Sequence, residues 1–159
     1  MKRISLKAIS GVALAIFLVL AAAQIPVSGQ GKARRIEGTW RAQVRVLNCQ
    51  TGAEIVTLSG LNTFLPGGSM ISTVAINPAL LSTGHGVWEH AGGRSFTNTV
   101  ISLRFNPDGT YAGTEKVTRN IELDSSGDEF TSINSSEIAD PAGNVIRTGC
   151  STVTAHRLE

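Results

Sequence analysis

The sequence contains no phosphate loop, no dinucleotide-binding glycine fingerprint and no nucleophile elbow, so no catalytic residue is expected from local motifs. After Ile36 it has no sustained apolar period of 3.6 residues, which excludes a helical domain. Cysteine is confined to Cys49 and Cys150. With no Cys-x-x-Cys spacing and no third soft ligand, neither a metal nor a redox centre is indicated, and the two are expected to form one disulfide in an oxidising compartment. His85, Glu89 and His90 lie close in sequence, but alternation along a strand turns Glu89 away from His90, so no metal site is expected. No cofactor is implied.

A long apolar run occurs once, from Ala8 to Ala23, preceded by Lys2, Arg3 and Lys7 and ending in Ala21-Ala22-Ala23. This is the pattern of a secretory signal peptide, and the run is followed at once by Pro26 and polar residues, short of a comfortable membrane span. The chain is therefore divided into a signal peptide (1–23), a flexible lead-in (24–35) and one domain (36–159). The expected location is secreted or periplasmic, without stable membrane insertion. Three of the 14 Lys and Arg residues belong to the signal, leaving 11 basic against 12 acidic residues. A near-neutral domain argues against a nucleic-acid partner, whose recognition leans on basic contacts to phosphate. The sequence sets no oligomeric state.

What is present is β-branched alternation, cut at short intervals by Gly, Pro, Asp and Asn. It predicts strands near 37–48, 54–65, 68–76, 86–90, 94–106, 110–123, 129–139 and 144–157, with a helical turn at Pro78 to Ser82. Asn106-Pro107-Asp108-Gly109-Thr110 and Asp140-Pro141-Ala142-Gly143-Asn144 have the form of three-residue hairpin loops with Gly in the left-handed position. Simple pairing from these loops sets Phe105 opposite Tyr111, Ile101 opposite Glu115, Thr99 opposite Val117, Ile138 opposite Ile146, Asn134 opposite Cys150 and Phe130 opposite Thr154. A Gly92-Gly93 turn sets Trp88 opposite Thr97, on the face of Ile101 and Leu103. Matching Ile121 and Leu123 to Phe130 requires an even loop. A meander of about eight long strands removes its edges by closing, so the expected fold is all-β, a single antiparallel up-and-down barrel, with a two-sheet sandwich as the alternative.

Gly38-Thr39-Trp40 opens the first strand and Arg157 closes the last, a pairing that resembles the calycin signature of lipocalins and avidins. The resemblance implies that Trp40 plugs one barrel end and that Arg157 packs across it. The chain departs from a typical lipocalin in being shorter, with no room for a C-terminal helix. Gly84-His85-Gly86-Val87-Trp88 and Phe105 to Thr110 are similar to segments of small uncharacterised exported bacterial proteins, a likeness that implies no activity.

The predicted inner face carries polar groups that need partners. Trp88, His90, Tyr111, Glu115 and Arg119 are the candidate ligand-binding residues, with Trp88, His90 and Tyr111 placed toward a mouth. Glu115 and Arg119 are about 13 Å apart along the strand, too far to pair directly. The expected function is a non-catalytic carrier or binding protein for a small amphiphilic molecule held in a barrel cavity. The alternatives are an isomerase- or cyclase-type barrel enzyme using a pair such as Glu115 and His90, and a surface interaction module with a filled core.

Overall fold

The computed structural model describes residues 35–158, so the expected signal peptide and nearly all of the lead-in lie outside the described residues. Eight strands follow in order: β1 (Gly38–Leu47), β2 (Glu54–Phe64), β3 (Ser69–Val74), β4 (Gly84–Gly92), β5 (Ser95–Phe105), β6 (Tyr111–Leu123), β7 (Glu129–Ala139) and β8 (Val145–Arg157). Each pairs antiparallel with the next, and β8 pairs back onto β1, giving a closed up-and-down barrel consistent with a calycin-like fold. No helix is present among the described residues. The turn expected at Pro78 to Ser82 is a single one on Asn77, whose carbonyl accepts from Leu80 N at 2.9 Å and from Leu81 N at 3.3 Å, followed by a bridge from Leu81 to Arg104.

The hairpin loops form where their turn chemistry predicts. Gly109 and Gly143 take φ of 83° and 89°, a region that costs glycine nothing. Asn106 N donates to Thr110 O and Asp140 N to Asn144 O, both at 2.9 Å. One pair beyond each loop, however, a β-bulge inserts a residue. Phe105 does face Tyr111, but Arg104 faces Gly113, leaving Ala112 unpaired. Ala139 faces Val145 and Ile138 faces Arg147, leaving Ile146 unpaired. The β4–β5 turn is Gly93-Arg94 rather than Gly92-Gly93, and a third bulge precedes it in β4, where His90 faces Phe96 and Gly92 faces Ser95, leaving Ala91 unpaired.

Each bulge slips the ladder by one residue, and a one-residue slip exchanges the faces of a strand. Ile101 pairs with Lys116 and Thr99 with Thr118, not with Glu115 and Val117. Trp88 pairs with Asn98, not Thr97. Asn134 pairs with Ser151 and Phe130 with Ala155. The inner face of β5 is therefore Phe96, Asn98 and Val100, all buried, while Ile101 and Leu103 point outward at 47% and 46% exposure. On β6 from Gly113 onward and on β7 the expected faces hold, because Leu123 faces Phe130 across a loop of the expected even parity. Asp124 organises that loop: its carboxylate accepts from Ser126 Oγ and from the backbone N of Gly127, and these bonds hold its pKa down to about 2.

The same slip resolves the cysteines. Cys150 pairs with Leu47 and Ser135, on the opposite parity from inward Ser151, and Cys49 lies just past the end of β1. The two form a disulfide with Cα atoms 5.3 Å apart, bridging 101 residues of chain. The bond is compatible with an extracellular or periplasmic compartment.

The core fills the half of the barrel where β1 begins and β8 ends. Trp40 is fully buried, donates from Nε1 to Ile36 O at 2.8 Å, and meets Phe130 edge-on at 4.9 Å. Phe64, Met70, Leu123 and Phe130 complete this closed end. The Arg157 guanidinium lies over the indole, with Cζ 4.2 Å from the ring centroid. Its Nη1 donates to Glu37 O at 2.7 Å, and its Nη2 to Arg35 O at 2.8 Å and to Gly127 O at 2.7 Å.

Trp40→Ala is expected to cost roughly 3 to 5 kcal/mol of stability as a large core truncation, and a double-mutant cycle with Arg157→Met should return a coupling of about 0.5 to 2 kcal/mol. Denaturant unfolding measures both, and additive single mutants would mean that the stacked contact is energetically idle. Replacing Cys49 and Cys150 by Ser should remove about 4 to 5 kcal/mol by freeing a loop of this length in the unfolded chain. An unchanged unfolding midpoint for the doubly substituted protein would contradict that.

Candidate functional site

Above the aromatic core, alternation brings a belt of polar side chains into the interior. Asn62, Ser72, Asn98, Arg119, Ser132 and Asn134 are all buried. Part of the belt satisfies itself: Ser132 Oγ donates to Asn134 Oδ1 at 2.7 Å, and Asn134 Nδ2 donates to Ser151 Oγ at 3.0 Å. Arg119 starts on β6, flanked in register by Asn98 and Asn134, and reaches across the lumen. There Nη1 donates to Asn62 Oδ1 on β2 at 3.0 Å and Nη2 to Ser72 Oγ on β3 at 3.1 Å. Arg119 Nε and both polar atoms of the Asn98 amide have no partner.

The side chain is a cation at 6% exposure, and among the described residues no carboxylate stands within ion-pair distance of it. Glu115, on the same strand face, is paired with Arg104 at 3.7 Å. Burial pulls Arg119 down to about 10, so its charge carries a cost of roughly 3 kcal/mol. The pKa lies below the unfolded value, so the charge destabilises the fold at every pH below about 10. It is relieved only as pH rises from there toward the group's ordinary, unfolded value.

Arg119 and Ser72 line a cavity of about 160 Å³ in the mouth-side half of the barrel. Its lining is mixed: aliphatic from Val44, Leu58, Val74, Val100, Val117 and Val153, and polar from Glu115, Ser102, Asn134, Ser136 and Ser151. Ile76, Leu81 and Ser82 of the β3–β4 connection also belong to the lining. This connection is tied to β5 by bonds from Ser82 N to Leu103 O, from Leu103 N to Ser82 Oγ, both at 2.9 Å, and from Phe105 N to Leu80 O at 3.0 Å.

The five residues expected to share one binding face do not share one cavity. Glu115 and Arg119 line it. Trp88 points inward but at the closed end, because β4 runs from the mouth toward Trp40. There its Nε1 donates to Leu65 O at 3.0 Å and its ring packs against Phe64 and Phe96. His90, further along β4, is exposed beside Gly93 O and Phe96. Tyr111 is at the mouth end, but the bulge at Ala112 turns it outward, 45% exposed and edge-on to Phe105. Glu115 and His90 thus occupy opposite ends of the barrel, and the acid–base pair considered for an enzyme is not assembled.

Sequence reasoning did not single out Asn62, Ser72 or Asn98 as site residues. Asn62 and Ser72 were accessible through alternation, since each lies two residues from an inward Phe64 or Met70. Asn98 was hidden by the bulges in the strands on either side of β5, at Ala91 and Ala112. The chain matches no protein-family model and no curated protein in sequence.

Arg119→Met is expected to raise the stability of the ligand-free protein by roughly 1 to 3 kcal/mol, because the desolvated charge is removed while the volume is kept. Chemical denaturation at neutral pH checks the sign. A large loss instead would identify Arg119 as a purely structural tie.

Proposed function

We propose that the protein is an exported, non-catalytic binding or carrier protein, secreted or periplasmic, for a small amphiphilic molecule held in the mouth-side cavity. The observation that carries this reading is the juxtaposition of Arg119 with the aliphatic walls. A buried cation with an unused donor is an unfavourable element of a resting fold, and interiors ordinarily satisfy such groups. A ligand with an acceptor group at one end and an apolar body would complete both surfaces at once. Pockets for small molecules have this composition, mostly apolar with a few polar groups that fix orientation.

The cavity's size supports a small occupant, since an apolar cavity of about 150 Å³ in another protein admits benzene. The two halves of the barrel divide the labour. The aromatic half supplies packing and the other half supplies space, so a ligand can come and go without disturbing the main core.

Protein purified from its own source should carry a small molecule in native mass spectrometry that is released on denaturation. Val117→Trp, which fills the cavity, should lack it. A wild-type protein that is empty and whose melting temperature no small amphiphile raises would contradict the proposal, because a ligand that binds only the folded state stabilises it by mass action.

A further inference from the structure

Resting on that reading, the geometry points to a ligand of narrower chemistry: a compact monocarboxylate, its oxyanion on Arg119 and an apolar body about the size of one benzene ring against the valine walls.

Charge selects the sign. The lining of the cavity holds Arg119 and Glu115, and Glu115 is already matched by Arg104 at the rim. The interior therefore carries one uncompensated positive charge. One negative charge brings it to neutrality, a cation would add repulsion, and a neutral molecule would leave the guanidinium as it is. Of the five N–H donors of a guanidinium, two are used, by Asn62 and Ser72. The free donors include Nε, which has no partner. A carboxylate is the planar acceptor that this fork matches with two bonds at once. Sulfate or phosphate would supply no apolar body for the aliphatic part of the lining.

Space selects the body. At about 160 Å³ the cavity corresponds to a single ring or a short branched chain. Its floor is the Arg119 crossbar, below which the lumen is filled by Phe64, Phe96 and Phe130, so a long acyl chain cannot extend downward. Six of the lining residues are valine, whose side chain is stiff at χ1, so that part of the wall has little freedom to swell.

The test uses the intact exported protein and four probes of graded chemistry: benzoate, benzyl alcohol, benzylamine and decanoate. Each is titrated at neutral pH and constant ionic strength while the methyl NMR signals of Val44, Val100 and Val117 and the melting temperature are followed. Benzoate is expected to shift those methyls and raise the melting temperature, and to bind tighter than benzyl alcohol by on the order of tenfold or more, the worth of one charge-assisted hydrogen bond. Benzylamine and decanoate should leave the methyls unmoved. Benzyl alcohol binding as well as benzoate would overturn the charge argument while leaving the cavity as a binding site. Decanoate binding better than benzoate would overturn the size argument. If none of the probes moves the methyls, the cavity is not a ligand site and both readings fall. In Arg119→Met the preference for benzoate over benzyl alcohol should vanish; its persistence would place the anion elsewhere.

Discussion

The stacking of Arg157 on Trp40 is the contact on which the barrel's architecture turns. An eight-stranded barrel has two open ends, and the larger inward side chains can seal only one of them without filling the lumen. Here the seal is made where the first strand begins and the last ends. Trp40 enters the lumen, and Arg157 covers it while gathering three backbone carbonyls, from Arg35, Glu37 and Gly127. Those carbonyls belong to the entry segment and to the β6–β7 loop, so one side chain joins three separate stretches of chain. With that end closed by aromatic packing, the opposite half is free to hold space.

Arg119 sets the boundary between the halves. It is the only buried member of the polar belt with a formal charge, and it is held by neutral oxygens alone. Exposed ion pairs at barrel surfaces contribute little either way, but a charge spanning the lumen is costly. A fold selected for stability alone would place an apolar residue there. The aromatic core and the disulfide act on the same fold in the opposite direction.

Most of the architecture was legible because alternation and turn chemistry are local signals. The eight strands could be read from β-branched runs and the hairpin loops from Asn106 to Thr110 and Asp140 to Asn144, whereas the end plug followed only from the resemblance carried by Trp40 and Arg157. The inward positions of Glu115 and Arg119 could be read because they share parity with Ile121 and Leu123, which are fixed against Phe130. The bulges had no such mark. Ala112 and Ile146 are ordinary strand residues in sequence, and only the closed barrel requires one extra residue there. That hidden step inverted the face of β5, concealed Asn98 and turned Tyr111 outward. It also moved Cys150 to the outer parity, which removed the conflict with Cys49. Trp88 and His90 were misplaced for a different reason: alternation gives the face of a residue but not its height, and height depends on which end of the barrel a strand runs toward.

The seam between β1 and β8 has a consequence for how the chain reaches this shape. Every other strand pair is a neighbour in sequence and can zip from its own connection, whereas the seam joins the two ends of the domain and must wait for the largest loop to close. Until the residues around Val153 to Arg157 are in place, β1 has one unpaired edge, Trp40 has no cover, and the growing barrel is an open, curling sheet. Assembly is therefore gated by its final dozen residues. A chain truncated by even one strand at that end would be left with two sticky edges, a template for joining its neighbours rather than itself.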